Sequence, residues 1–104
     1  MKNHEKAFEA LGEPMRRTIF EKLRVRSLSV GEIAKGLPIS RPAVSQHLRI
    51  LKEAKLIRIQ QQGTRSLCQI DPKGVLAMRT YLDNFWDTAL AAFKLAAEKE
   101  NKNE

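Results

Sequence analysis

The sequence predicts a mainly α-helical domain with one small β-hairpin, on three observations. Apolar residues recur at helical spacing through residues 4–55, and capping signals cut that stretch into short helices. The period drops to two across residues 56–70, around a central glycine. Asp71-Pro72 then opens a long helix whose apolar positions continue to Ala97.

In chain order, HEKAFEAL at 4–11 makes a short helix with Ala7, Phe8 and Leu11 on one face, closed by Gly12. Glu13-Pro14 begins a second helix that is expected to reach about Val25, burying Met15, Ile19, Phe20 and Leu23. Arg16 and Arg17 lie on its basic side, as part of a solvated face or against a phosphate.

Residues 29–55, SVGEIAKGLPISRPAVSQHLRILKEAK, read as two helices joined by a tight turn. Ser29 and Glu32 stand at capping-box spacing, and Gly36 marks the first helix's end. Ser40 offers the next N-cap, with Pro42 in the first turn. At 100° per residue, Val44, Leu48 and Leu51 form a core stripe, while Pro42, Ser45, Gln46, Arg49 and Glu53 face the other way. An amide, an arginine and short hydroxyls on one exposed helix face suit base-edge and phosphate recognition. The candidate DNA contacts are therefore Ser40, Arg41, Pro42, Ser45, Gln46, His47 and Arg49. His47 lies about 60° off the core stripe, where a half-buried packing or hydrogen-bonding histidine is favoured over a metal ligand.

A hairpin over 57–61 and 66–70 follows, with its tip at 62–65 and Gly63 in the turn. Arg65 at that tip is an eighth candidate contact, reaching toward a minor groove. A helix-turn-helix followed by such a hairpin is a winged helix-turn-helix. The last helix is expected to end near Glu98, leaving a flexible polar tail at 99–104 and one domain over 1–98. Its stripe is too long and too aromatic for a small core to cover. Leu82, Phe85, Trp86, Ala89, Leu90 and Phe93, with Phe8 from the first helix, are expected to form a homodimer interface.

Charge supports a nucleic-acid partner. The chain carries a formal +7. Residues 35–70 hold seven basic side chains against Glu53 alone, so the positive field sits on the helix-turn-helix and the hairpin. No apolar run reaches membrane-spanning length, no signal-peptide core opens the chain, and one cysteine makes no internal disulfide. A cytoplasmic protein with no membrane role is expected. Cys68 reads as a small hydrophobe. Paired carboxylates, a nucleophile constellation, a phosphate loop and a zinc-type cluster are all missing, so neither catalysis nor a cofactor is expected.

The chain resembles a winged-helix repressor of the ArsR/SmtB family over roughly residues 4–98. The resemblance rests on ALGEPMRRTIFEKL, VGEIAKGLPISRPAVSQHLRILKEAKLI and QQGTRSLCQID. It implies a homodimeric DNA-binding repressor acting on an operator, expected to be palindromic. Metal-sensing members carry Cys-x-Cys in the first helix of the helix-turn-helix, where Ser29 and Gly31 stand here. Others take Asp and His ligands from the last helix, and this chain has no histidine beyond His47. The resemblance is therefore to the non-metal, autorepressor-like branch, with a small-molecule or protein effector left open. Two other readings remain at this point: an architectural protein binding DNA without sequence choice, and a protein-interaction module.

Overall fold

A computed structural model describes residues 2–102 of the chain. The elements run α1 (Asn3–Gly12), α2 (Pro14–Lys22), β1 (Leu28–Ser29), α3 (Val30–Lys35), α4 (Arg41–Glu53), β2 (Ile57–Gln62), β3 (Arg65–Ile70) and α5 (Pro72–Lys102). This is the expected winged helix-turn-helix, with one strand more than the sequence revealed. β1 pairs antiparallel with β3, Leu28 opposite Cys68 and Ser29 opposite Leu67, so the sheet order is β1-β3-β2. Two residues are too short to show an alternating pattern.

Each helix begins where its capping chemistry permits. The Glu13 carboxylate accepts the Arg16 N–H at 2.7 Å and starts α2, with Pro14 filling a position that needs no donor. Arg16 and Arg17 then turn back onto α1. Arg16 Nε donates to the Ala10 carbonyl at 2.8 Å, and Arg17 Nη1 to that of Leu11 at 2.9 Å. These satisfy free acceptors at a helix end, so the two arginines bind α2 to α1. α2 stops at Lys22, and Val25 lies beyond it, 83% exposed. The Ser29–Glu32 capping box closes in both directions: the Glu32 N–H donates to Ser29 Oγ at 3.2 Å, and the Ser29 N–H to Glu32 Oε1 at 3.0 Å.

α4 carries the core. Val44, Leu48 and Leu51 are buried against Ile19, Ile33, Leu56, Ile57 and Cys68. Ala7 and Ala10 enter that core from α1, while Phe8 and Leu11 lie only half-buried. Burial pushes the Cys68 thiol up, which disfavours the reactive thiolate and leaves a small hydrophobe in the central strand.

The junction after α4 sets the direction of α5. Lys55 adopts φ 63°, with Leu56 N–H donating to the Leu51 carbonyl at 3.0 Å and Lys55 N–H to that of Lys52 at 3.0 Å. That is a Schellman cap built on a lysine. The Lys55 carbonyl accepts the Gly74 N–H at 2.8 Å, and a Cβ on Gly74 would stand 2.6 Å from that oxygen. Asp71 completes the lock: its carboxylate accepts the Lys73 N–H at 3.0 Å, and its own N–H donates to the Leu56 carbonyl at 2.9 Å.

α5 has 31 residues and continues to Lys102, past the expected end; residues 103 and 104 of the expected tail lie outside those described. Its early part packs on α1, where Tyr81 stacks on His4 at 4.5 Å and meets Phe8 edge-on at 5.7 Å. Phe8 is therefore engaged by its own chain, unlike the other expected interface residues. Farther along, Leu82, Phe85, Trp86, Leu90 and Phe93 are exposed and Ala89 is half-buried. The radius of gyration is 19.0 Å, against about 13 Å for a compact chain of this size. A long helix leaves its own core.

Candidate nucleic-acid interface

Burying Val44, Leu48 and Leu51 forces the opposite face of α4 into solvent. Pro42, Ser45, Gln46 and Arg49 are exposed there, with Ser40 and Arg41 exposed at the helix start. Ser40 Oγ accepts the Ala43 N–H at 3.3 Å, which leaves the hydroxyl proton free for a phosphate or a base. Arg49 pairs with Glu53 at 3.1 Å, both well exposed. Such an i,i+4 pair is worth only about 0.3–0.5 kcal/mol, a weak competitor for a base edge or phosphate.

His47 departs from this group. Its side chain is 21% exposed, and Nδ1 is enclosed without a hydrogen-bond partner, 3.9 Å from Glu13 Oε2. Being next to the core stripe, it turns toward the start of α2 and away from the open face. Of the expected DNA contacts it is the half-buried one. The Glu13 carboxyl is itself held below the usual carboxylate range, chiefly by the Arg16 amide it caps.

β2 and β3 join through the two-residue loop Gly63-Thr64, with Gly63 at φ 62° where a tight hairpin needs glycine. Arg65 stands beside this tip but bends back onto α3. Its Nη2 lies 2.7 Å from Glu32 Oε1, while Arg26 Nη1 reaches Glu32 Oε2 at 3.2 Å. The Arg65 side chain is thus paired with Glu32 while remaining mostly exposed. Glu32 caps α3 and joins the wing to the α2–β1 loop. No spacing predicts a contact across 33 residues, and the only signal at Glu32 was its capping box.

The Ser29 amide, the Ser29 hydroxyl and Arg26 lower the Glu32 carboxyl to about 2. A depressed folded pKa contributes stability that is complete above the ordinary 4.5 and is lost as pH falls through 2. Glu32→Gln keeps a capping side chain at that position and removes the charge. Urea unfolding of this variant is expected to depend less on pH between 4.5 and 2 than that of the parent.

The helix-turn-helix also matches known proteins. The family pattern described as bacterial regulatory protein, arsR family, covers residues 13–58, from the α2 cap into β2. The HTH-type transcriptional regulator Rv2034 of Mycobacterium tuberculosis is 47% identical over 96 residues, 92% of this chain and 90% of that protein. The chain belongs to the ArsR family. It is an HTH-type DNA-binding transcriptional regulator. The transcriptional repressor SdpR of Bacillus subtilis is 39% identical over 56 residues, 54% of this chain and 62% of that protein. The crystal structure of a possible transcriptional regulator for arsenical resistance superposes with TM-score 0.71 at 34% identity, covering 84% of this chain and 95% of that one.

Proposed function

We propose that this ArsR-family regulator is a homodimeric repressor that acts by occupying palindromic operator DNA. One observation carries the reading: Ser45, Gln46 and Arg49 share an exposed face held rigid by Val44, Leu48 and Leu51 beneath it. In the major groove Gln46 pairs with an adenine edge, Arg49 forks onto guanine or holds a phosphate, and Ser45 reaches either. Arg65, 60% exposed in spite of its pairing, supplies charge from the wing. The uncovered apolar stripe of α5 supports a second copy as partner, with half-sites about one helical turn apart or a multiple of it. The likeness to SdpR supports repression. No helix among the described residues is long and apolar enough to cross a membrane, and a regulator of this kind works beside the chromosome in the cytoplasm. Residues 1–98 act as one DNA-binding and dimerising unit.

The test is the specificity ratio. A duplex selected by the protein from a random pool should bind at least about 10³-fold tighter than its scrambled counterpart at the same salt. Equal affinities would make the protein an architectural one.

Metal control is not part of the reading, because Ser29 and Gly31 supply no thiolates. Among the described residues no three His, Cys, Asp or Glu side chains gather as a ligand set. Zinc, cadmium or copper(I) under reducing conditions is expected to leave DNA affinity unchanged within about threefold, far below the cost of releasing several phosphates. A tight stoichiometric site that releases DNA would contradict this.

A further inference from the structure

A cleft of about 280 Å³ opens between the wing, the start of α3 and the first residue of α4, lined by Ser29, Val30, Arg41, Thr64, Arg65 and Ser66. Its walls come from three separate elements, and two of them bring an arginine. Arg41 folds back over α3, with Nη2 3.7 Å from where a Cβ on Gly31 would stand. Among the described residues it has no carboxylate partner. Arg65 is held at the rim by Glu32 at 2.7 Å. The Ser66 hydroxyl is already committed to Gln61 Oε1, whereas Thr64 brings a hydroxyl at the hairpin tip.

Two guanidiniums facing one small polar cleft repel each other unless an anion lies between them. Glu32 offsets part of that charge but is shared between Arg65 and Arg26, and it makes no ion pair with Arg41. Planar donors in a fork match tetrahedral phosphate oxygens, and a hydroxyl adds a further donor. We propose that this cleft binds one backbone phosphodiester of duplex DNA, clamped between Arg41 and Arg65. The proposal rests on the DNA-binding reading above and adds a named phosphate subsite to it. The cleft lies where the recognition helix meets the wing, so a strand whose bases face α4 passes it on the way to the hairpin. The clamp sets the register of helix on groove and carries no sequence information itself.

The test replaces single phosphates by neutral methylphosphonates along one half-site of a duplex selected from a random pool. One position should weaken wild-type binding about tenfold. Arg41→Ala and Arg65→Ala should each abolish the effect of that position while leaving other positions sensitive. The double variant should lose less than the product of the single losses, since both arginines serve one anion. Arg41→Lys, which keeps the charge without the fork, should fall between wild type and Arg41→Ala. Circular dichroism checks that these surface variants stay folded. Losses that map to two different phosphates, or multiply independently, would overturn the proposal. A second arm titrates the DNA-free protein with inorganic phosphate at constant ionic strength, following the arginine Nε–Hε NMR signals. Weak, unsaturated shifts are expected. Micromolar saturation, with no methylphosphonate position shared by both arginines, would assign the cleft to a free anion and overturn the DNA assignment. If Gln46→Ala weakens the selected duplex and spares the scrambled one while the clamp test fails, only the clamp falls.

Discussion

Trp86→Ala combined with Phe93→Ala is expected to raise the dimer dissociation constant by about four powers of ten. Trp86 is 60% and Phe93 74% exposed in the single chain, on a helix that projects from its own core. A homodimer would cover both residues on each subunit, four large side chains in all. At about 1.5 kcal/mol each, the low end for full burial, the loss is about 6 kcal/mol, and each 1.4 kcal/mol is about tenfold. Operator binding should weaken with it, because the two half-sites are held together only through the dimer. Sedimentation equilibrium on the full chain reads the dimer constant, and titration of a selected duplex reads the operator affinity. A wild-type monomer at micromolar concentration would contradict the assignment of α5 as the interface.

Gly74→Ala is expected to be the most damaging single substitution outside the core. A Cβ there would lie 2.6 Å from the Lys55 carbonyl oxygen and 2.9 Å from that of Ala54, both backbone atoms that cannot swing aside. Relief requires moving α5 away from the end of α4, which breaks the 2.8 Å bond from Gly74 N–H to Lys55 and disturbs the Asp71 cap beside it. Overpacking of this kind, with a broken hydrogen bond, costs about 3 kcal/mol, which lowers Tm by roughly 15 °C in a domain of this size. The comparison must be made at equal protein concentration, since dimerisation contributes to apparent stability. A Tm within a degree or two of wild type would show that the two helices are not locked here.

Gly74 also shows where the sequence stops speaking. In a helix, a glycine reads only as a weak position, and nothing local says that another chain segment passes over it. What could be read were features whose cause is local: the caps at Ser29, Ser40 and Asp71, the stripe Val44–Leu48–Leu51, and the glycine turn of the wing. The exposed face of α4 followed from that stripe, because burying one side of a helix determines the other. Features made by distant residues were hidden. β1 exists only through its pairing with β3, and Arg65 turns inward only because Glu32 stands across the wing. His47 was ambiguous for a geometric reason. It lies at the edge between the two faces, and its nearness to Glu13, the cap of α2, depends on residues far off in sequence.

That α4 reads bases while the wing supplies charge is tested most directly by one set of binding measurements. Gln46→Ala and Arg65→Ala are compared on a selected duplex and its scrambled counterpart at several salt concentrations. Gln46→Ala should cost roughly 1–3 kcal/mol on the selected duplex, little on the scrambled one, and relax preference at one position of each half-site. Arg65→Ala should weaken both duplexes alike and flatten the salt dependence by about one unit for each phosphate it no longer neutralises. Equal losses from Gln46→Ala on the two duplexes would show that this helix face does not read sequence.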